Sequence, residues 1–187
     1  MVTLETASED KTHLVQALQQ SLERVEKLIL NLTPQQWNLK RSFEAWSVAE
    51  IVHHLILVEV QRLQQLKELL EGKRESAVAR LEGGRPDFSG VRAGLNPVKA
   101  RKEMEPTSGI PSKVLIAGLR RARTETIEFL LAADLGRLEE VWINTVSLGA
   151  INGIDFIEFL SAHTERHAKQ IEETLGKVGS NDQERGR

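Results

Sequence analysis

The chain has 187 residues, of which 40% are hydrophobic and 28% charged, with a formal net charge of -2. One domain with a real core fits that length, and the near-neutral balance gives no electrostatic case for nucleic acid or an acidic membrane surface as a partner. Cysteine is absent, which excludes disulfides, thiolate ligands and a cysteine nucleophile, so any metal must be held by imidazole, carboxylate or water.

Residues Met1 to Asp10 are acidic and carry neither the basic start nor the apolar run of a secretory signal. With no segment of spanning length, the expected location is cytoplasmic. A first helix is predicted from about Ser8 to Asn31, with Leu14, Leu18, Leu22, Val25, Ile29 and Leu32 on one face and His13 off it, in solvent. Thr33-Pro34 opens a short helical turn that brings Trp37 toward the next long helix.

That second helix should begin at Ser47, because Ser47-Val48-Ala49-Glu50 has the form of a capping box. It should run to about Glu71 and stop at Gly72 on the stripe Val48, Ile51, Val52, Leu55, Leu63, Leu66 and Leu70. At about 100 degrees per residue, His54 falls at the edge of this stripe and His53 turns toward solvent. Glu59 lies near its centre, where a buried carboxylate needs a partner: an arginine, or a supporting or proton-transfer role beside a metal.

Between Gly72 and Pro111 the breakers Gly83, Gly84, Pro86, Gly90, Gly94, Pro97 and Pro106 rule out a long helix. A connection of this length is a lid or a mobile segment, with mobility the favoured reading; as a lid it would lie over one end of the bundle and shape access to a site. Its cluster Lys99, Arg101 and Lys102 reads as a solvated face. A third helix is predicted from Ser112 to about Asp134 on Val114, Leu115, Leu119, Ile127, Leu130 and Leu131, with Arg120, Arg121, Arg123, Glu125 and Glu128 on its exposed side. Leu138 to Asn152 is either a short strand around Val141-Trp142-Ile143 or an irregular apolar loop.

Asn152 is a candidate cap for the fourth helix, with Asp155 in its first turn and an end near Gly176. Residues 179–187 are expected to form a disordered tail to a single domain spanning 1–178. The inward stripe Ile157, Leu160, Thr164, Ala168, Ile171 and Leu175 has His167 near its centre and His163 on its flank. One inward imidazole is ordinarily satisfied by a neighbouring hydrogen bond. Two at i, i+4 spacing are hard to satisfy separately, and one divalent ion takes a nitrogen from each. If the helices pack side by side, His54 can face the pair and complete a three-nitrogen set.

The intervening Glu165 is not placed as in zincins, whose acid directly follows the first histidine; it reads as a surface charge partner. Trp37, Trp46 and Trp142 read as packing residues.

Trp46-Ser47-Val48-Ala49-Glu50-Ile51 leading to His54-Leu55 and Glu59, then Leu148-Gly149, then His163-x-x-x-His167-x-x-Gln170-Ile171 together resemble the DinB-like family, the thiol S-transferase-like metalloproteins. The resemblance spans about residues 8 to 175, with no motif in the connection from Gly72 to Pro111. It implies an all-α, four-helix bundle of up-up-down-down order and a metal held by His54, His163 and His167. The metal could be zinc, nickel or iron, since imidazole also suits each of these and copper. The family further implies a homodimer acting on a small-molecule substrate. Thiol S-transfer to a small electrophile is the first implied activity, with a low-molecular-weight thiol as cosubstrate. The alternatives are a metal-dependent hydrolase and a non-catalytic metal-binding or damage-response protein.

Overall fold

The computed structural model describes residues 4–78, 85–95 and 99–184; Gly83, Gly84, Asn96 and Pro97 of the connection lie outside them. Four long helices, α1 (Leu4–Ile29), α3 (Val48–Leu70), α5 (Ser112–Ala132) and α7 (Gly153–Glu184), form the bundle, with a short α2 (Pro34–Trp37) between the first two. The all-α bundle expected from the sequence is therefore present. Ser47 caps α3 as its motif requires: its hydroxyl accepts from the Glu50 amide and the Glu50 carboxylate accepts from the Ser47 amide at 2.7 Å.

α1 packs against α7 and α5, and α3 packs against α5 and α7, so α1 and α3 stand on one diagonal. The order of directions differs from up-up-down-down. Arg24 meets Glu172 and Arg123 bridges Leu18 to Thr164, so α1 and α7 are parallel. Lys11 reaches Leu131 while Arg120 reaches Glu26, so α1 and α5 are antiparallel. Gly118 lies against Ile56, and Lys67 over Phe129, so α3 and α5 are parallel. The bundle runs up, down, down, up. The cause is connection length: two parallel consecutive pairs need two long crossovers, and only residues 71–111 provide one.

The described residues of that crossover are more structured than a mobile connection. It carries α4 (Ser89–Ala93), which lies on α7, and a 3-10 turn at Lys102–Met104 beside α3. Phe88, Val91 and Met104 are buried in the core, and ion pairs from Arg85 to Asp155 and Glu158 and from Arg92 to Glu165 fasten the segment to α7. Glu165 is thus the charge partner its position suggested.

After α5 come α6 (Leu135–Glu140) and an antiparallel hairpin of β1 (Trp142–Thr145) and β2 (Gly149–Asn152), pairing Trp142 with Asn152 and Thr145 with Gly149. The stretch left open in the sequence, Leu138 to Asn152, is therefore the end of α6 followed by a strand pair. Asn152 accepts from the Asp155 amide at 2.8 Å and starts α7. Gly153 is required there, since a Cβ would sit 2.7 Å from the Leu138 carbonyl oxygen. α7 continues past Gly176, near which the sequence suggested an end, to Glu184, and residues 185–187 of the expected tail lie outside the described residues; a helical glycine costs only about 1 kcal/mol and breaks no hydrogen bond.

The core falls into two apolar clusters, one near Leu14, Val58, Leu130 and Phe156 and one near Val25, Ile51, Leu119 and Ile171. Between them lies a polar layer. Arg123, assigned by charge to the exposed face of its helix, is 1% exposed. Its guanidinium donates to the Leu18 carbonyl at 2.9 Å, the Ser21 hydroxyl at 3.1 Å and the Thr164 hydroxyl at 2.9 Å. It also stands 2.8 Å from Glu59, off the line of a hydrogen bond, so that contact is electrostatic. One side chain of α5 thereby joins all four helices, and Glu59 has the arginine partner that its burial demanded.

Candidate metal centre

His54 sits in the second turn of α3, and His163 and His167 sit one turn apart on α7, which runs antiparallel to α3. The ring centroids are 5.4 Å apart for His54 and His163, 5.0 Å for His54 and His167, and 4.5 Å for His163 and His167. One nitrogen from each ring lies within 4.8 Å of the other two. A tetrahedral ion with nitrogen ligands near 2.1 Å needs donors roughly 3.4 Å apart, and the His163 and His167 Nε2 atoms are 3.2 Å apart.

The protonation pattern fits a cation. His54 Nδ1 is 2.8 Å from the Met104 carbonyl oxygen, which only accepts, so Nδ1 carries the proton and Nε2 presents its lone pair. His167 Nδ1 likewise donates to Gln170 Oε1 at 2.8 Å. Such outer hydrogen bonds fix tautomer and ring orientation in metal-ligating histidines. Burial, reinforced by the neighbouring rings and Arg166, lowers the pKa of all three: His54 below its ordinary value, His163 well below it, and His167 to about 3. The rings are therefore neutral at pH 7 and available as ligands without releasing protons.

All three rings line a cleft of about 500 Å³. Trp46 packs its ring 4.7 Å from His54, Phe159 lies 5.6 Å from His163, and the crossover contributes Lys99 to Arg101 and Met104 to Pro106. The hairpin turn adds Thr145 to Ser147, while Leu148 of the adjoining motif packs against the core.

The sequence matches the DinB superfamily over residues 17–171. The chain belongs to that superfamily. Its fold is similar to that of YfiT from Bacillus subtilis, described as a probable metal-dependent hydrolase with an unusual four-helix bundle topology. The likeness has a TM-score of 0.65 at 14% identity and covers 96% of this chain and 91% of that one; at that identity it concerns the fold. No curated protein matches the chain.

Within this DinB-superfamily bundle, the three histidines singled out in the sequence come together, whereas His13 is exposed and His53 accepts from the Thr107 amide at 3.0 Å instead. Glu59 does not join the group, being sequestered by Arg123. Trp46 packs against the second apolar cluster as expected and also forms part of the cleft wall. Sequence reasoning gave no role to Met104 or Gln170. Gln170, three residues after His167, had a readable signal in that spacing; a backbone carbonyl such as that of Met104 has none. Among the described residues, no helix is long and apolar enough to cross a membrane.

The lowered pKa values carry a stability consequence for the metal-free protein. Unfolded histidines take up protons near 6.5, while the folded rings resist them, so stability falls as pH drops below 6.5 and continues to fall toward the folded values. The slope is up to about 1.4 kcal/mol per pH unit for each histidine. Urea denaturation from pH 7 to pH 4 should show a shallower decline for His167→Gln than for the parent; parallel profiles would refute the assignment.

Proposed function

We propose that the protein is a metal-dependent enzyme in which His54, His163 and His167 hold one divalent ion through Nε2, and in which a low-molecular-weight thiol is transferred to a small electrophile bound in the cleft. The observation that carries this reading is the convergence of three imidazoles, two of them held by outer hydrogen bonds, on the wall of an open cleft of about 500 Å³. Three protein ligands leave a tetrahedral ion at least one position for a reactant. When bound, the ion supplies Lewis acidity that lowers the pKa of a thiol or a water.

The chain's residues supply orientation and shielding. The Met104 carbonyl and the Gln170 side chain lock His54 and His167 in the ligating tautomer, while Trp46 and Phe159 shield the rings and narrow the approach. A thiol cosubstrate suits a chain without cysteine. It also suits a site in which no carboxylate joins the histidine cluster among the described residues and Glu59 is occupied by Arg123, since hydrolysis gains from a nearby base. Hydrolysis is the second reading, supported by the description of YfiT and by Glu44 and Glu105 on the cleft wall. A purely metal-storing role fits an open cleft less well than a closed cage.

The test is to incubate metal-loaded protein with low-molecular-weight thiols and electrophiles, and separately with esters and amides. Metal-dependent thiol consumption is expected. Cleavage without thiol consumption would select hydrolysis, and inactivity in both assays would defeat the enzyme reading.

A further inference from the structure

The cleft has a charge pattern that the metal reading does not use. Arg41, Arg62, Lys99, Arg101 and Arg166 line it against only Glu44 and Glu105, in a chain whose formal net charge is -2. Arg41 is neutralised by Glu173. Among the described residues, no carboxylate lies within ion-pair distance of Arg62, Arg101 or Arg166.

These arginines are not all freely hydrated. Arg62 and Arg166 are partly buried. Burial lowers the pKa of Arg62, the like charges of Arg101 and Arg74 act in the same direction, and Glu103 opposes them. An unpaired, partly desolvated guanidinium forfeits hydration that an oxyanion would restore. Arg62 is also held in place: Nη1 donates to Gln65 at 2.8 Å, and the guanidinium lies 5.8 Å from the Phe156 ring centre. From Phe156 a ladder of rings leads through Phe159 at 5.9 Å to His163 at a further 5.6 Å. Arg166 belongs to the same turn of α7 as the histidine pair, with its side chain against Gly94.

The geometry points to an oxyanion subsite beside the histidine centre, formed by Arg62, Arg101 and Arg166, that takes a carboxylate or phosphate on the small-molecule substrate. Phe159 and Val58 line the same cleft and suit an apolar body, so the substrate class is a small amphiphilic acid whose reactive atom reaches the metal while its anionic end meets the arginines. As a substrate subsite it rests on the proposed metal enzyme, but oxyanion binding does not require the ion.

Calorimetric titration tests this, with inorganic phosphate in one arm and succinate in the other, on metal-loaded and metal-free protein. Saturable binding is expected in at least one arm and should persist without metal; the arm that binds more tightly identifies the oxyanion. The double variant Arg62→Gln/Arg166→Gln should weaken binding by about tenfold or more, the scale of a charge-assisted hydrogen bond, with metal content unchanged. Arg101→Gln, exposed on the crossover, should weaken it in the same direction and guards against misfolding of the double variant. Arg24→Gln, outside the cleft, should change nothing. Absence of saturable binding in both arms would overturn the subsite. So would binding that needs the ion and is insensitive to all three arginines, because the anion would then sit on the metal. If no metal binds but phosphate or succinate still depends on the arginines, the metal reading fails and the oxyanion site stands.

Discussion

Replacing His167 by alanine is expected to reduce the bound divalent metal from one ion per chain to none that survives gel filtration. His54→Ala and His163→Ala should do the same. The effect is large because the described residues offer only these three nitrogens in the cluster, and two imidazoles without a third ligand make a poor site. Removing an orienting partner should weaken rather than abolish binding: Gln170→Leu deletes the acceptor of the His167 Nδ1 proton and should cost about 10- to 100-fold in affinity. Elemental analysis after gel filtration reads the first effect and competition with a chelating dye the second. Metal retained at full stoichiometry by the triple alanine variant would show that the ion binds elsewhere.

The largest stability effect should come from the polar layer, not from the three-histidine cluster. Arg123→Met leaves Glu59 buried and unpaired and removes donors to Leu18, Ser21 and Thr164. Breaking one side of such a pair costs about 3–5 kcal/mol, a fall in Tm on the order of 10 °C for a chain of this length. Arg123→Met combined with Glu59→Leu removes both charges and should recover most of that loss, since an apolar replacement of similar volume is often neutral. Urea denaturation of both variants measures this. A single variant within 1 kcal/mol of the parent would mean that the layer contributes little.

Much of the site was legible because helical geometry is regular. The i, i+4 spacing of His163 and His167, the stripe on α7 and the capping box at Ser47 fix which side chains face inward, and His54 follows from its angle on α3. The helix order was legible too, in the connection lengths: the single long crossover at 71–111 permits only one parallel consecutive pair, a constraint stronger than the order implied by resemblance. Arg123 shows a different failure. It is four residues after Leu119 and seven before Leu130, squarely on the buried face, but its charge argued for solvent. Periodicity was right where residue type misled, because Glu59 on another helix supplies the compensating charge. The α4 segment was not legible, since one turn is too short for a period to emerge around Phe88 and Val91. Nor was the Met104 carbonyl, because a backbone acceptor leaves no trace in residue type.

X-ray absorption spectroscopy on protein loaded with one equivalent of zinc tests the central claim most directly. The three-histidine centre predicts about three imidazole ligands at roughly 2.0–2.1 Å, with the remaining coordination filled by an exchangeable light atom. An ion without imidazole scattering, or one held by carboxylates alone, would contradict it.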